Sequence, residues 1–275
     1  MSASKVKVLV DPRHRKWSLL TIVNHHREID MNIDREQVFV WSRKVRFFHW
    51  NNVICILLLI VIGVVILNAK LFGVSIEGKI LLKTMHVIVG YVFAANLIFR
   101  LLIGFLGKSY ERWSETLPFN KGFRKEVIEF KKLNKAPYKG HNPVGKLMVL
   151  ALLSLMSIQM VTGLVIAGTD IYYPPFGNYF AQSIAIDKTN LEVIKPYSKE
   201  NVDDKAYKTM RDIRKPFITV HIYTFYGLIF FIPLHIMGVI FAERRERTAL
   251  TSSMITGYKY LPKNSTDNSG DIKNR

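Results

Sequence analysis

The stretch HIYTFYGLIFFIPLH, residues 221–235, decides the fold. It is apolar enough to lie in a bilayer, yet a histidine stands at each end. Ionisable residues in membrane segments are costly and are kept where they have a use. Fourteen positions separate His221 from His235. At 3.6 residues per turn the two rings fall within about 40° of one helix face, roughly 21 Å apart along the axis. One bound group cannot use both rings. Two groups stacked across a membrane can.

The rest of the chain supplies the membrane context. It has 275 residues, 49% of them hydrophobic. The apolar residues are gathered into four blocks, at about 51–69, 80–106, 144–168 and 216–242. Each is long enough as a helix to cross a hydrocarbon core of about 30 Å. Buried helices of a soluble bundle would show a polar face at helical spacing, and the block from Val53 to Leu67 shows none. The fold expected is an all-α, integral membrane four-helix bundle. The single cysteine, Cys55, lies inside the first block, where it reads as a small packing residue and excludes an internal disulfide framework.

The formal charge of +18 does not point to nucleic acid, because its placement reads as topology. Basic residues flank the first block (Arg43, Lys44, Arg46), fill the connection between blocks two and three (Lys121, Arg124, Lys125, Lys131, Lys132, Lys135), and follow block four (Arg244, Arg245, Arg247). The connection 169–215 mixes Lys188, Lys195 and Lys199 with Asp187, Glu192, Asp203 and Asp204, and is close to neutral. The positive-inside rule then puts both termini and the middle connection in the cytoplasm, beside anionic lipid. The start of the chain is polar and basic and carries no cleavable signal peptide pattern.

Residues 1–40 read as a cytoplasmic N-terminal extension, 41–260 as the transmembrane domain and 261–275 as a disordered polar tail. Within the extension, WSLLTIVNHHREI is weakly amphipathic and suits a membrane surface or a partner. Its His25 and His26 have no third ligand nearby and read as a solvated face rather than a metal site. The middle connection reads as a short helix, KGFRKEVIEFKKL, and a turn, PYKGHNP. The outer connection 169–215 is too long for a plain loop and is a candidate docking surface.

Four histidines lie in or at the edge of spans: His49, His86, His221 and His235. With the topology above, His86 and His221 share the outer depth, and His49 and His235 the inner depth. Nothing in the composition forces this match. Zinc needs three or four protein ligands, which the spans do not offer. Haem iron needs only two axial ligands, and imidazole is a common one. Filling both axial positions with histidine favours electron transfer over oxygen binding. No CxxCH sequence occurs, so two b-type haems, without covalent attachment, are the expected cofactors. Gly63, Gly90, Gly163, Gly227 and Gly238 would let a flat macrocycle approach helix backbones. Pro233 would interrupt the bonding of the fourth span just before His235. Arg100 lies fourteen residues beyond His86 on the same face. Either a haem propionate or snorkelling to the cytoplasmic surface would satisfy it.

The chain also resembles a known family, the b-type cytochrome subunit of membrane-bound nickel-iron hydrogenases, part of a bacterial cytochrome b561 group that includes formate dehydrogenase gamma subunits. The resemblance rests on RKVRFFHW (43–50), HVIVGYVFAANLIFRLL (86–102), YKGHNPVGKLMVLALLSLMSIQMVTG (138–163), HIYTFYGLIFFIPLH (221–235) and FAERRERTALTSSMITGYK (241–259). It covers roughly residues 40–260. It implies the same four haem ligands. It also implies a site for menaquinone or ubiquinone beside the inner haem, with His141 and Asn142 as ring-contacting residues, in a bacterial inner membrane. The expected function is electron transfer between the quinone pool and a partner on the outer, periplasmic face, such as a hydrogenase or a multihaem cytochrome. The N-terminal extension and the outer connection are longer than this family leads one to expect, which bears on the partner. The rival readings are a transporter or proton relay using intramembrane histidines, and a membrane anchor without redox chemistry.

Overall fold

The computed structural model describes residues 35–107, 109–131 and 137–263. The amphipathic piece with His25 and His26, and the tail from 264 onward, lie outside the described residues. In chain order the elements are β1 (Arg35–Phe39), α1 (Arg43–Leu67), α2 (Ile76–Leu106), α3 (Trp113–Thr116), α4 (Phe123–Phe130), α5 (Pro143–Asp170), α6 (Gly177–Ile184), α7 (Asp204–Glu246), α8 (Leu250–Thr256) and β2 (Tyr258–Pro262). Four of these, α1, α2, α5 and α7, are long and apolar enough to cross a membrane. Their outward faces expose large apolar side chains such as Leu57, Phe105, Phe230 and Phe241, as lipid contact requires.

Short polar side chains, rather than the apolar runs, set where the long helices begin. Ser42, Ser75, Asn142 and Asp203 each accept a hydrogen bond from the backbone N–H three residues on, at 3.3, 3.0, 2.7 and 2.7 Å. A donor that the first turn cannot satisfy internally is thereby paired. This is why α1 starts at Arg43 and not near 51, and why α7 starts at Asp204 and not near 216. Helix α7 continues through Pro216 and Pro233, each of which removes one backbone donor without ending it.

The long helices form two hairpins. Helix α1 packs chiefly on α2 and α5 on α7, and the hairpins meet along α2 and α5. The seam is filled by Phe48, Cys55, Phe93, Leu97, Leu153, Met156 and Leu228. Lipid removes the hydrophobic drive between helices, so close packing and interhelical hydrogen bonds must hold the seam, the latter averaging about 0.6 kcal/mol each. Two such bonds use asparagine. Asn52 donates to Met156 Sδ at 3.0 Å, and Asn96 donates to the Phe48 carbonyl at 3.0 Å.

Each end of the bundle is closed by a structure that an all-α, loop-joined reading does not contain. At one end, the connection 169–215 folds into a cap. Helix α6, a single 3-10 turn at Leu191–Val193 and a bridge between Ala185 and Val202 enclose Ala181, Ile184, Ile194, Val202 and Met210. At the other end β1 and β2 pair antiparallel, Arg35 opposite Pro262 and Phe39 opposite Tyr258. The Gly257 carbonyl accepts from Val40 N and Trp41 N at 2.9 and 3.1 Å, and Trp50 Nε1 donates to Met254 O at 2.9 Å. Among the described residues the elements run from Arg35 to Pro262.

A Cβ on Gly177 would stand 2.0 Å from the Tyr172 carbonyl oxygen and 2.2 Å from its carbon. Backbone atoms cannot yield that much, so Gly177→Ala should open the cap. Limited proteolysis in detergent should then cleave within 172–204 much faster than in the wild type. An unchanged cleavage rate would show that the cap does not need this approach.

Candidate functional site

A cavity of about 410 Å3 lies between the two hairpins in the half of the bundle next to the cap. Its walls are apolar, with Ile56, Leu59, Val87 and Phe225 among them, and His86 and His221 both line it. The two imidazole centroids are 6.4 Å apart, with the rings at 71°. Glycines make room for the rings. A Cβ on Gly63 would come 3.3 Å from His86 Cε1, and one on Gly163 would come 3.3 Å from His221 Cε1. Those two glycines therefore back the imidazoles directly rather than a macrocycle. Gly90, which lines the cavity, and Gly238 have open space where a Cβ would stand, and Gly227 faces the Leu155 methyls.

The partners of His221 define its tautomer. The Thr162 hydroxyl donates to the Ile158 carbonyl at 2.7 Å, so its oxygen accepts from His221 Nδ1 at 2.9 Å. Nε2 then carries the lone pair, and the Gln159 amide N–H points at it from 3.0 Å. A hydrogen bond donated by one ring nitrogen, with the lone pair on the other, is the arrangement that metal-ligating histidines use. Gln159 Oε1 is buried without a hydrogen-bond partner, as is His86 Nδ1.

These residues fit an axially ligated iron. An iron bonded to both rings at about 2 Å would set the centroids a little over 6 Å apart, close to the separation observed. The Gln159 amide would have to swing off Nε2, and its unpaired oxygen shows that it is held there by one bond only. Sequence reasoning missed Gln159 and Thr162. Their signal was their i, i+3 spacing on α5 just before Gly163.

At the end of the bundle opposite the cap, His49 and His235 are electrostatic neighbours, and His49 Nδ1 is buried without a hydrogen-bond partner. Arg100 does not snorkel: it is 5% exposed, lies 4.3 Å over the Trp113 ring and donates to the Glu111 carbonyl at 3.2 Å. The GHNP turn sits beside these groups. The His141 ring packs on Trp41 with centroids 4.9 Å apart. Asn142 spends its oxygen on the cap of α5 and also bonds Glu246. A residue that sequence reasoning did not single out, Lys259, is 2% exposed and donates to the Gly140 and Tyr138 carbonyls at 2.9 and 3.4 Å. It brings the C-terminal strand against the turn.

Burial brings the Lys259 ammonium down to about 8, against the opposing pull of Glu246. Burial, reinforced by Lys259, Arg100, His235 and Lys146, pushes the His141 imidazole down to about 3. His141 is therefore neutral in the folded protein at neutral pH. Below its unfolded value of about 6.5 the unfolded chain binds the extra proton and the folded chain does not, so stability falls with acidification towards pH 3. Thermal unfolding in detergent should show this slope between about pH 6 and 4, and His141→Leu should make it shallower. An identical slope in the variant would rule His141 out as its source.

Comparison with known proteins identifies the family. The family model for prokaryotic cytochrome b561 matches residues 40–257. A protein of Bradyrhizobium diazoefficiens named as a probable Ni/Fe-hydrogenase B-type cytochrome subunit is 26% identical over 242 residues, 82% of this chain and 87% of its own length. The protein of the same name from Rhizobium leguminosarum bv. viciae is 26% identical over 243 residues, 82% and 90% of the two chains. That of Cupriavidus necator is 22% identical over 233 residues, 80% and 86%. No solved structure matches the chain.

Proposed function

From the premise that this chain belongs to the prokaryotic cytochrome b561 family, a family of multi-pass membrane cytochromes that carry electrons on haem b, we propose that it is a di-haem cytochrome linking the quinone pool to a redox partner on the outer face of a bacterial inner membrane. The observation that carries the reading is the facing of His86 and His221 across an apolar cavity at a separation suited to one iron. His49 and His235 form the matching inner pair. Haem iron, when bound, supplies reversible one-electron chemistry.

The protein's own residues supply the rest. Thr162 fixes the His221 ring so that Nε2 points into the cavity. Phe93, Leu97 and Leu228 fill the level between the two histidine pairs and keep water out of it. At the inner end the GHNP turn is the quinone-facing element. The N–H of neutral His141 can donate a hydrogen bond to a quinone carbonyl, and Asn142 holds the turn through the α5 cap. Arg100, buried beside them, is placed to meet a propionate of the inner group. Basic flanks at the inner end support an orientation with both termini in the cytoplasm. The cap is then the face a partner meets. The relatives' names make a nickel-iron hydrogenase the first candidate, with a multihaem cytochrome the alternative.

Histidine substitution tests the assignment. His221→Ala should remove the outer haem and leave the inner one, and His235→Ala should do the reverse, each halving the haem content measured as pyridine haemochrome. A quinol analogue should reduce the bands that remain in His221→Ala. If either variant keeps a full complement of normal low-spin haem, the pairing by depth is wrong.

A further inference from the structure

The rim of the cavity carries a charge imbalance that the four histidines do not explain. Lys83 stands three residues before His86 on α2, one turn nearer the cap on the same face, and its side chain lines the cavity together with Asp170. Lys83 Nζ bonds Asp170 Oδ2 and lies 2.7 Å from the Tyr197 hydroxyl of the cap. Arg214 Nη1 takes the other carboxylate oxygen, Oδ1, at 2.6 Å, and also donates to the Thr169 carbonyl at 2.9 Å. Two cations thus share one carboxylate. The side chains of Lys83, Asp170 and Arg214 are only 20%, 21% and 11% exposed. An excess positive charge this poorly hydrated at the edge of a membrane-spanning bundle calls for a second anion.

Resting on the reading above, we propose that this rim is a carboxylate seat. Lys83, with Arg214 behind it, receives a propionate of the outer haem, and Asp170 is the resident carboxylate that only partly neutralises the two cations. A b-type porphyrin has an apolar body and two carboxylates on one edge. The cavity offers apolar walls around the histidines and cations at the end facing water. The seat also ties occupancy to the cap, because Tyr197 bonds the same ammonium that meets the propionate.

The roles of Lys83 and Asp170 separate by sign. Lys83→Met should release the outer haem to an apomyoglobin acceptor about tenfold faster, the loss of one charge-assisted hydrogen bond. It should also lower the midpoint potential of the outer haem, the one whose bands disappear in His221→Ala, because removing a cation favours the oxidised iron. Asp170→Asn removes the same salt bridge but leaves the cations, so it should retain haem at least as well as the wild type and raise that potential. Arg214→Gln should move both readouts in the Lys83→Met direction by a smaller amount, and it decides the question if Lys83→Met does not accumulate. If Lys83→Met and Asp170→Asn lose haem alike, the cluster is only a strap for the cap and the proposal falls. An unchanged outer potential in Lys83→Met overturns it too, while leaving the two-haem reading intact. A wild-type protein without b-haem bands would overturn that reading itself.

Discussion

Two imidazoles facing each other across a gap in hydrocarbon form the constraint on which the rest of the molecule depends. A buried polar ring needs partners, and His86 and His221 are placed where helix packing alone does not supply them all. Thr162 satisfies one nitrogen of His221, and Gln159 covers the other with one half of its amide. His86 Nδ1 has none. The gap lies between two hairpins that meet chiefly along α2 and α5, and Gly63 and Gly163 let the rings lie back against α1 and α5. An apolar side chain at either histidine would pack such a bundle more simply. The polar pair is explained by what it would hold.

The two ends of the bundle answer the same electrostatic problem differently. At the capped end, Lys83 and Arg214 converge on Asp170 beneath a small folded cap. At the opposite end, Arg100, Lys146 and Lys259 lie buried around the GHNP turn, with Lys146 paired to Glu126 at 2.9 Å and Lys259 bonded to backbone carbonyls. The β-ribbon and α8 close that end and carry Lys259 to the turn. Each histidine layer thus has cations at its water side and an apolar plug towards the membrane centre, which suits a flat ligand with an apolar body and an anionic edge.

Much of this was legible in the sequence, for physical reasons. Four apolar runs of spanning length leave little choice of fold class. The 3.6-residue repeat brings His221 and His235 to one face. Other features were out of reach. Helix starts followed Ser42 and Asp203 rather than hydropathy, so α7 runs well beyond its apolar segment. The ribbon joins residues 35–39 to 258–262, a pairing that no local pattern reports. The cap's core is sparse, and its Met210 comes from the polar start of α7. Arg100 left two accounts open from its position alone, and its place over Trp113 removes snorkelling. Gln159 and Thr162 looked like ordinary polar residues of a membrane helix until their distance from His221 was known.

The central claim is that the histidines act as two pairs, each ligating one iron. The most direct test is haem b per polypeptide in the purified, folded protein, read together with the electron paramagnetic resonance spectrum of its oxidised form. The account predicts two haems per chain with low-spin, bis-imidazole signals. A folded, monodisperse preparation that is colourless, or that holds a single haem, would contradict it.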